Sequence, residues 1–291
     1  MDTPIPTQTI PKHVFFVLGI AVIAVSAAGV LVRGVGDVPA ISIALWRTTM
    51  VAVLLTPFAS RMSRRDSRFT LLAGAFLAGH FVAWFSALQM TTIMRATVLV
   101  CTAPMWTGFI EWVVFRERPT LKYWLGLMVA MCGVAWMSQY GAEEAHWLGD
   151  LYAALGGLLG ALYLIVGRSV RQRVNIQSYA CWVCASAAVW LSIAALTSGV
   201  QLVGFTSQSW FFIIALAAGP QMLGHNGFNY ALQSIKASTV STLMLLEPAG
   251  ATLLAWIAFA ELPTTHEVVG GIVAGFGVFV ATWTFKKKSS T

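Results

Sequence analysis

The sequence predicts an all-α integral membrane protein of ten transmembrane helices, arranged as two inverted five-helix repeats. Three observations carry that prediction. Hydrophobic residues make up 58% of the chain and charged residues only 10%, with a mean hydropathy of +0.76, so a water-soluble fold would lack polar groups to cover its surface. Apolar runs of ~20 residues, the length that crosses a bilayer as a helix, recur between short polar loops. These runs are continuously apolar, whereas barrel strands would alternate. Finally, one stretch occurs twice: residues 87–134 and 231–278 superimpose without a gap, 144 residues apart, and match at roughly 15 of 48 positions. Pro104 falls over Pro248, Trp112 over Trp256, Phe115 over Phe259, Glu117 over Glu261, Pro119 over Pro263, Gly126 over Gly270 and Gly133 over Gly277. The matches include the prolines and glycines that decide backbone geometry, as expected of two halves of one ancestral unit, 1–140 and 141–291.

The spacing predicts helices near 14–33, 38–58, 69–90, 94–115, 121–140, 147–167, 176–197, 209–233, 237–259 and 266–285. With the N-terminus inside, about 15 of the 18 basic residues fall on one side, in the groups Lys12, Arg61 to Arg68, Arg116 to Lys122, Arg168 to Arg173, Lys236 and Lys286 to Lys288. The other side holds Asp37, Glu143, Glu144, Asp150, Glu261 and Glu267, with Arg33 and Arg95 as its basic residues. The positive-inside rule then places both termini in the cytoplasm, in the cell inner membrane, and the net charge of +7 reports topology rather than nucleic-acid binding. No small-residue cleavage site follows the first apolar run, so that run is expected to remain as a span. The four cysteines lie within spans; Cys181 and Cys184 form a C-x-x-C, which at membrane depth and without a second ligand pair reads as small packing residues. Neither a metal nor another cofactor is expected.

Taken in order, span one carries Ser26, Ala27, Ala28 and Gly29, small residues that let another helix approach or leave room beside a cavity. The following GVGD resembles the motif of intramembrane aspartyl proteases, but it precedes a proline in a short loop and no second aspartate lies inside a span; a tight turn is the better reading. Span two holds Arg47, a guanidinium that must face the protein interior, either in a structural pair or in gating and anion attraction. Span three places His80 and Trp84 on one face, four residues apart. Span four lines up Thr97, Cys101, Pro104, Gly108 and Glu111, with Trp106 beside Pro104; Glu111 reads as an ion-pair member or a proton-handling group. Span five, with Trp124 and Trp136 toward its ends, reads as lipid-facing. Span six has Gly156 and Gly160 in a G-x-x-x-G packing row and Tyr163 below it.

The second copy begins with Ser178 and Trp182 in the places of Ser42 and Trp46, while Val183 replaces Arg47. Span eight repeats a polar residue every fourth position, Gln221, His225, Asn229 and Gln233, a stripe that lining a wet cavity explains at once and interhelical hydrogen bonds explain one at a time. Span nine delivers Glu247 immediately before Pro248, a carboxyl group suited to a protonation switch or to a structural role as partner of Arg47 or of backbone donors. Span ten is a glycine-rich packing helix. Because each copy has about five spans, the second enters the membrane the other way up, and one sequence can build two gates around a site near the midplane.

The ten spans, the duplicated AL…P…E-x-P pattern, FRERPT and LEPAGATLLAWIAFAEL resemble the EamA type of the drug/metabolite transporter superfamily over essentially the whole chain. The resemblance implies two inverted five-helix repeats around a cavity lined by spans one, three, four, six, eight and nine, and export of small metabolites, often amino acids, by alternating access. It also implies a histidine and aromatic residues in that cavity, where His80, Trp84, Trp106 and Tyr163 stand in similar places; Arg95 and Glu111 depart from the family pattern. The expectation is therefore an exporter of a small polar or amphipathic, amino-acid-like metabolite. His80, Trp84, Trp106, Tyr163, Gln221, His225 and Asn229 would bind it, and Glu247, Arg47 and Glu111 would serve coupling or gating, with protons as the coupling ion. Substrate and membrane lipid are the expected partners, with the chain a monomer or weak dimer. An exporter of organic cations or drugs and a non-transporting receptor or scaffold are the rivals. No H-E-x-x-H and no serine with a lysine or histidine base suggests an enzyme.

Overall fold

The structure, a computed structural model, describes residues 10–90, 93–137, 147–260 and 262–283, with the side chains of 88, 89, 93–95 and 97 excepted. Arg95 as a side chain, Glu143, Glu144 and Glu261 therefore lie outside the described residues. The described chain is helical: α1 (Lys12–Val35), α2 (Ala40–Leu55), α3 (Arg64–Met90), α4 (Ile93–Val100), α5 (Ala103–Phe115), α6 (Leu121–Met137), α7 (Trp147–Arg171), α8 (Ile176–Ser198), α9 (Ser207–Leu216), a π-helical segment (Ala217–His225), α10 (Asn226–Ala231), α11 (Ala237–Met244), α12 (Glu247–Phe259) and α13 (Thr265–Thr282). Among the described residues, eight helical stretches are long and apolar enough to cross a membrane, taking 98–115 and 237–259 each as one; α6 is a shorter apolar helix.

Three expected spans are broken rather than continuous. Span four divides between Val100 and Ala103 and span nine between Met244 and Glu247, in each case one residue ahead of a proline, which has no N–H to continue the ladder. Span eight widens into the π segment around Pro220, whose missing donor and ring cannot be fitted into regular α-helix. The GVGD turn is made by Gly36 at φ 75, a conformation that favours glycine.

The two copies match in backbone as well as in residues. The breaks before Ala103 and Glu247 are 144 residues apart, and so are Arg116 (φ 59) and Ala260 (φ 56), the non-glycine residues with left-handed φ among those described. Such a conformation costs roughly 1–2 kcal/mol, so its recurrence at the equivalent position reflects a shared template.

Packing between the copies is reciprocal. The side chains of Ser42 and Trp46 on α2 donate to the carbonyls of Gln201 and Leu202 after α8, at 2.6 and 2.7 Å. On α8, the Ser178 hydroxyl accepts from Ser60 N at 2.8 Å and the Trp182 indole donates to Ser60 O at 3.4 Å, just after α2. Along α6 and α13 the same exchange occurs between glycines: a Cβ on Gly126 would stand 2.7 Å from the Gly277 carbonyl oxygen, and one on Gly133 would stand 2.6 Å from that of Gly270. Residue i of one copy meeting residue j of the other, and the reverse, is the contact pattern of a two-fold axis. The expectation that span five is plain lipid-facing helix is corrected here, since Tyr123, Gly126, Leu127, Ala130, Gly133 and Val134 are buried, with both glycines against α13.

Candidate functional site

Arg47 is buried within the bundle, and two groups hold it there. Its Nε donates to Gln221 Oε1 of the π segment at 2.9 Å, and its guanidinium lies 4.7 Å from the centre of the Phe81 ring on α3. The Gln221 amide nitrogen in turn reaches Cys184 Sγ of α8 at 3.6 Å. A cation on an aromatic face, held by a neutral amide, is attracted without being neutralised, so a full positive charge remains at this depth. His225 stands edge-on to the other contact partner of Arg47, with its ring 5.8 Å from that of Phe81, and the His80 ring lies 5.4 Å from Phe81 on its own helix. His80 Nδ1 is 2.8 Å from the carbonyl oxygen of Gly156, which can only accept; Nδ1 therefore carries the hydrogen, and in the neutral ring Nε2 is left as an acceptor. The G-x-x-x-G row makes this possible: a Cβ on Gly156 would meet the Trp84 backbone at 3.4 Å and one on Gly160 would meet His80 Nδ1 at 3.1 Å.

One turn along, Tyr163 donates its hydroxyl to Asn229 Oδ1 at 2.8 Å, and both residues are buried. Several polar atoms around this centre have no partner among the described residues: Trp84 Nε1, Asn229 Nδ2, Asn226 Oδ1 and Ser26 Oγ. An unsatisfied buried donor or acceptor costs ~1–3 kcal/mol, so each of these atoms calls for a partner such as water or a bound polar group. Glu247 begins α12, is half-buried, and takes part in neither a hydrogen bond nor an ion pair among the described residues. It is near enough to Arg47 for their charges to interact, yet the two form no salt bridge.

Glu111 lies elsewhere, at the end of the bundle that carries Arg168 and Lys236, here termed the basic end. Its Oε1 accepts from Arg168 Nη1 at 2.9 Å and from the backbone N–H of Ala237 at 2.8 Å. Arg168 also pairs with Glu117 at 2.8 Å and packs its guanidinium 4.9 Å from the Phe115 ring, while Lys236 pairs with the second oxygen of Glu117 at 2.8 Å. These contacts fasten α5, α7 and the start of α11 into one clasp. For Glu117, which lies in the loop after α5, burial opposes ionisation, but Arg168 and Lys236 outweigh it and hold the carboxyl below the usual glutamate range. Below the clasp, Arg171 donates to the carbonyls of Asn229 and Val174 and to Gln233 Oε1. Gln233 therefore belongs to this end and not to the stripe formed by Gln221, His225 and Asn229.

Of the residues singled out from sequence, His80, Arg47, Gln221 and His225 gather around Phe81, with Tyr163 and Asn229 hydrogen-bonded nearby. Trp106 is 39% exposed and makes no ring contact or hydrogen bond with them, and Glu111 is separated from the centre as part of the clasp. The pairing of Glu247 with Arg47, one of the two sequence readings, is absent. Phe81, Cys184, Arg168 and Lys236 were missed. Phe81 follows His80 directly in an apolar helix, and nothing in its local sequence distinguishes it; Arg168 stands among several basic residues near a loop.

Comparison with known proteins agrees with this architecture. The profile of the EamA-like transporter family matches the chain twice, over residues 12–139 and 147–283, one match in each half. Among relatives, an uncharacterized transporter of Archaeoglobus fulgidus is 24% identical over 262 residues, covering 90% of this chain and 93% of its own length. The uncharacterized transporter YwfM of Bacillus subtilis is 24% identical, covering 75% of this chain and 74% of its own. One crystal structure superimposes with a TM-score of 0.82 at 17% identity, across 97% of this chain and 100% of that one, which establishes a shared fold. With its profile matched across both halves and its helices able to cross a membrane, this chain belongs to the EamA-like transporter family.

Proposed function

We propose that the chain is a secondary transporter that exports a small polar or amphipathic, amino-acid-like metabolite across the cytoplasmic membrane by alternating access, with Glu247 as the proton-coupling group. The reciprocal contacts of the two copies support ten spans built as two inverted five-helix repeats, because a two-fold axis in the membrane plane generates such exchanges. The basic end is then cytoplasmic, with both termini on that side.

The observation that carries the reading is the unequal closure of the two ends. The half-helices α5 and α11 pack together at the basic end, and Ala237 to Thr242 are all buried. At the other end α12 has no buried residue and packs on α1 and α13 rather than on α4 among the described residues. This asymmetry supports reading the structure as the outward-facing form of an alternating-access carrier, whose inward-facing form would open the Glu111–Arg168 clasp and close α12 over the centre. Groups without partners at the centre suit a zwitterion. Among the described residues Arg47 uses only Nε in hydrogen bonding, leaving its terminal nitrogens for a carboxylate, and the Glu247 carboxylate has no partner there and could take an ammonium group or a proton.

The test is uptake of labelled amino acids and small organic cations by vesicles containing the purified chain, with and without an imposed pH gradient. Amino-acid accumulation that follows the gradient, abolished by Glu247→Gln while binding persists, is expected. Equilibration that ignores the gradient would make Glu247 structural, cation flux alone would favour the drug-exporter reading, and no flux of any compound would favour a receptor.

A further inference from the structure

The foot of α3 carries a charge that the rest of the molecule does not answer. Arg64, Arg65 and Arg68 are exposed there and form no ion pair with any described residue. Asp66, the acid in the same turn, is already occupied: it accepts from Arg173 Nε and Nη2 at 3.0 and 2.7 Å and from Ser63 Oγ at 2.7 Å. Three guanidinium groups are thus left without an ion pair among the described residues at the N-terminal end of a 27-residue helix, where the backbone adds further positive potential, and Asp66 acts on Arg65 through space alone. The same arginines, with Phe69 and Leu72, line an open groove of about 450 Å³. Arg65 lies 6.0 Å from the Phe69 ring centre, and Phe69 and Leu72 are 38% and 43% exposed on a helix long and apolar enough to span a bilayer. The groove is therefore cationic at the membrane surface and apolar where it continues toward the hydrocarbon, with both halves on one face.

We propose that this groove is a binding site for an anionic glycerophospholipid, with the phosphate held by Arg64, Arg65 and Arg68 and an acyl chain lying along Phe69 and Leu72. Arginine suits the phosphate because its fork donates to two oxygens at once. The apolar wall separates this reading from a site for free phosphate, which would have no use for Phe69. Since α3 also carries His80 and Phe81, the lipid would anchor the helix that supports Arg47. The proposal is independent of which solute is carried.

The experiment measures binding of a fluorescent phosphatidylglycerol to the full chain in zwitterionic detergent micelles. The variants are Arg64→Gln/Arg65→Gln/Arg68→Gln, Phe69→Ser, and the control Arg118→Gln/Lys122→Gln, which removes basic residues of the same end outside the groove. Each basic residue near an anionic surface contributes about a factor of five, so the triple variant is expected to bind roughly a hundredfold more weakly, with the control close to wild type. Phe69→Ser should lose several-fold. Equal binding by the triple variant, an equal loss in the control, or displacement by millimolar inorganic phosphate with Phe69→Ser unchanged would each overturn the proposal. Should the triple variant fail to fold, Arg68→Gln alone decides: a several-fold loss supports the site and an unchanged affinity refutes it.

Discussion

Glu111 and Glu247 are both carboxylates within membrane-spanning helices, and both belong to helices broken at equivalent places, yet their surroundings are opposite. Glu111 is 1% exposed and holds a guanidinium and a backbone N–H; Glu247 is half-buried and holds neither. They are not equivalents in the duplication: the 144-residue offset sets Ala255 against Glu111 and Ala103 against Glu247. The halves share a backbone template and diverged in where they put charge. A buried carboxylate with a full set of partners is a fastener, since releasing it exposes two ions to a poor solvent. One without partners is free to change protonation, because no contact has to break when it does.

That contrast predicts a graded series of effects. Glu111→Gln should be the most costly, because it leaves the Arg168 charge with Glu117 alone; removing one member of a buried pair costs ~3–5 kcal/mol, and the remaining partner puts this case near about 3 kcal/mol in denaturation of the purified protein. Tyr163→Phe, on the same helix as Arg168, strips the donor from Asn229 Oδ1 and is expected to cost about 1–2 kcal/mol by the same measurement. A loss as large as that of Glu111→Gln would mean that the centre is as firmly fastened as the clasp.

Glu117→Gln should cost about 1 kcal/mol, since its partners are partly exposed. Its pH dependence has a definite sign. The folded-state pKa lies below the unfolded one, so the stabilisation is complete above the ordinary glutamate range and is lost as pH falls through the folded value. The gap in unfolding midpoint between wild type and Glu117→Gln should stay constant from about pH 8 to 5 and shrink below that. The smallest effect on stability belongs to Glu247→Gln: with no partner among the described residues to lose, stability should move by less than ~1 kcal/mol, while the proposed coupling role predicts loss of any pH-driven transport. A destabilisation comparable to that of Glu111→Gln would erase the distinction between the two acids.

Much of this site was legible in the sequence because membrane insertion makes polar side chains conspicuous. Arg47, His80, Gln221, His225 and Asn229 stand out in apolar runs, and helical spacing assigned the last three to one face even though the helix widens into a π segment between them. Trp106 was misplaced because aromatic residues serve equally at a lipid boundary and in a cavity, and one helix alone does not say which side faces inward. Gln233 continued the four-residue rhythm past the point where the helix stops, and Arg171 holds it at the basic end instead.

The sequence by itself determined the helical membrane fold, the duplication, the uneven distribution of basic residues and the prolines at which two helices break, because these depend on composition and on spacing along one chain. The tertiary structure alone decided the partners: Glu111 with Arg168 across 57 residues, Arg47 with Gln221 across 174, and Glu247 with none. Pairing is a property of distances between helices. Two carboxylates that look alike in an apolar run acquire opposite surroundings only when packing brings a guanidinium to one and leaves the other open.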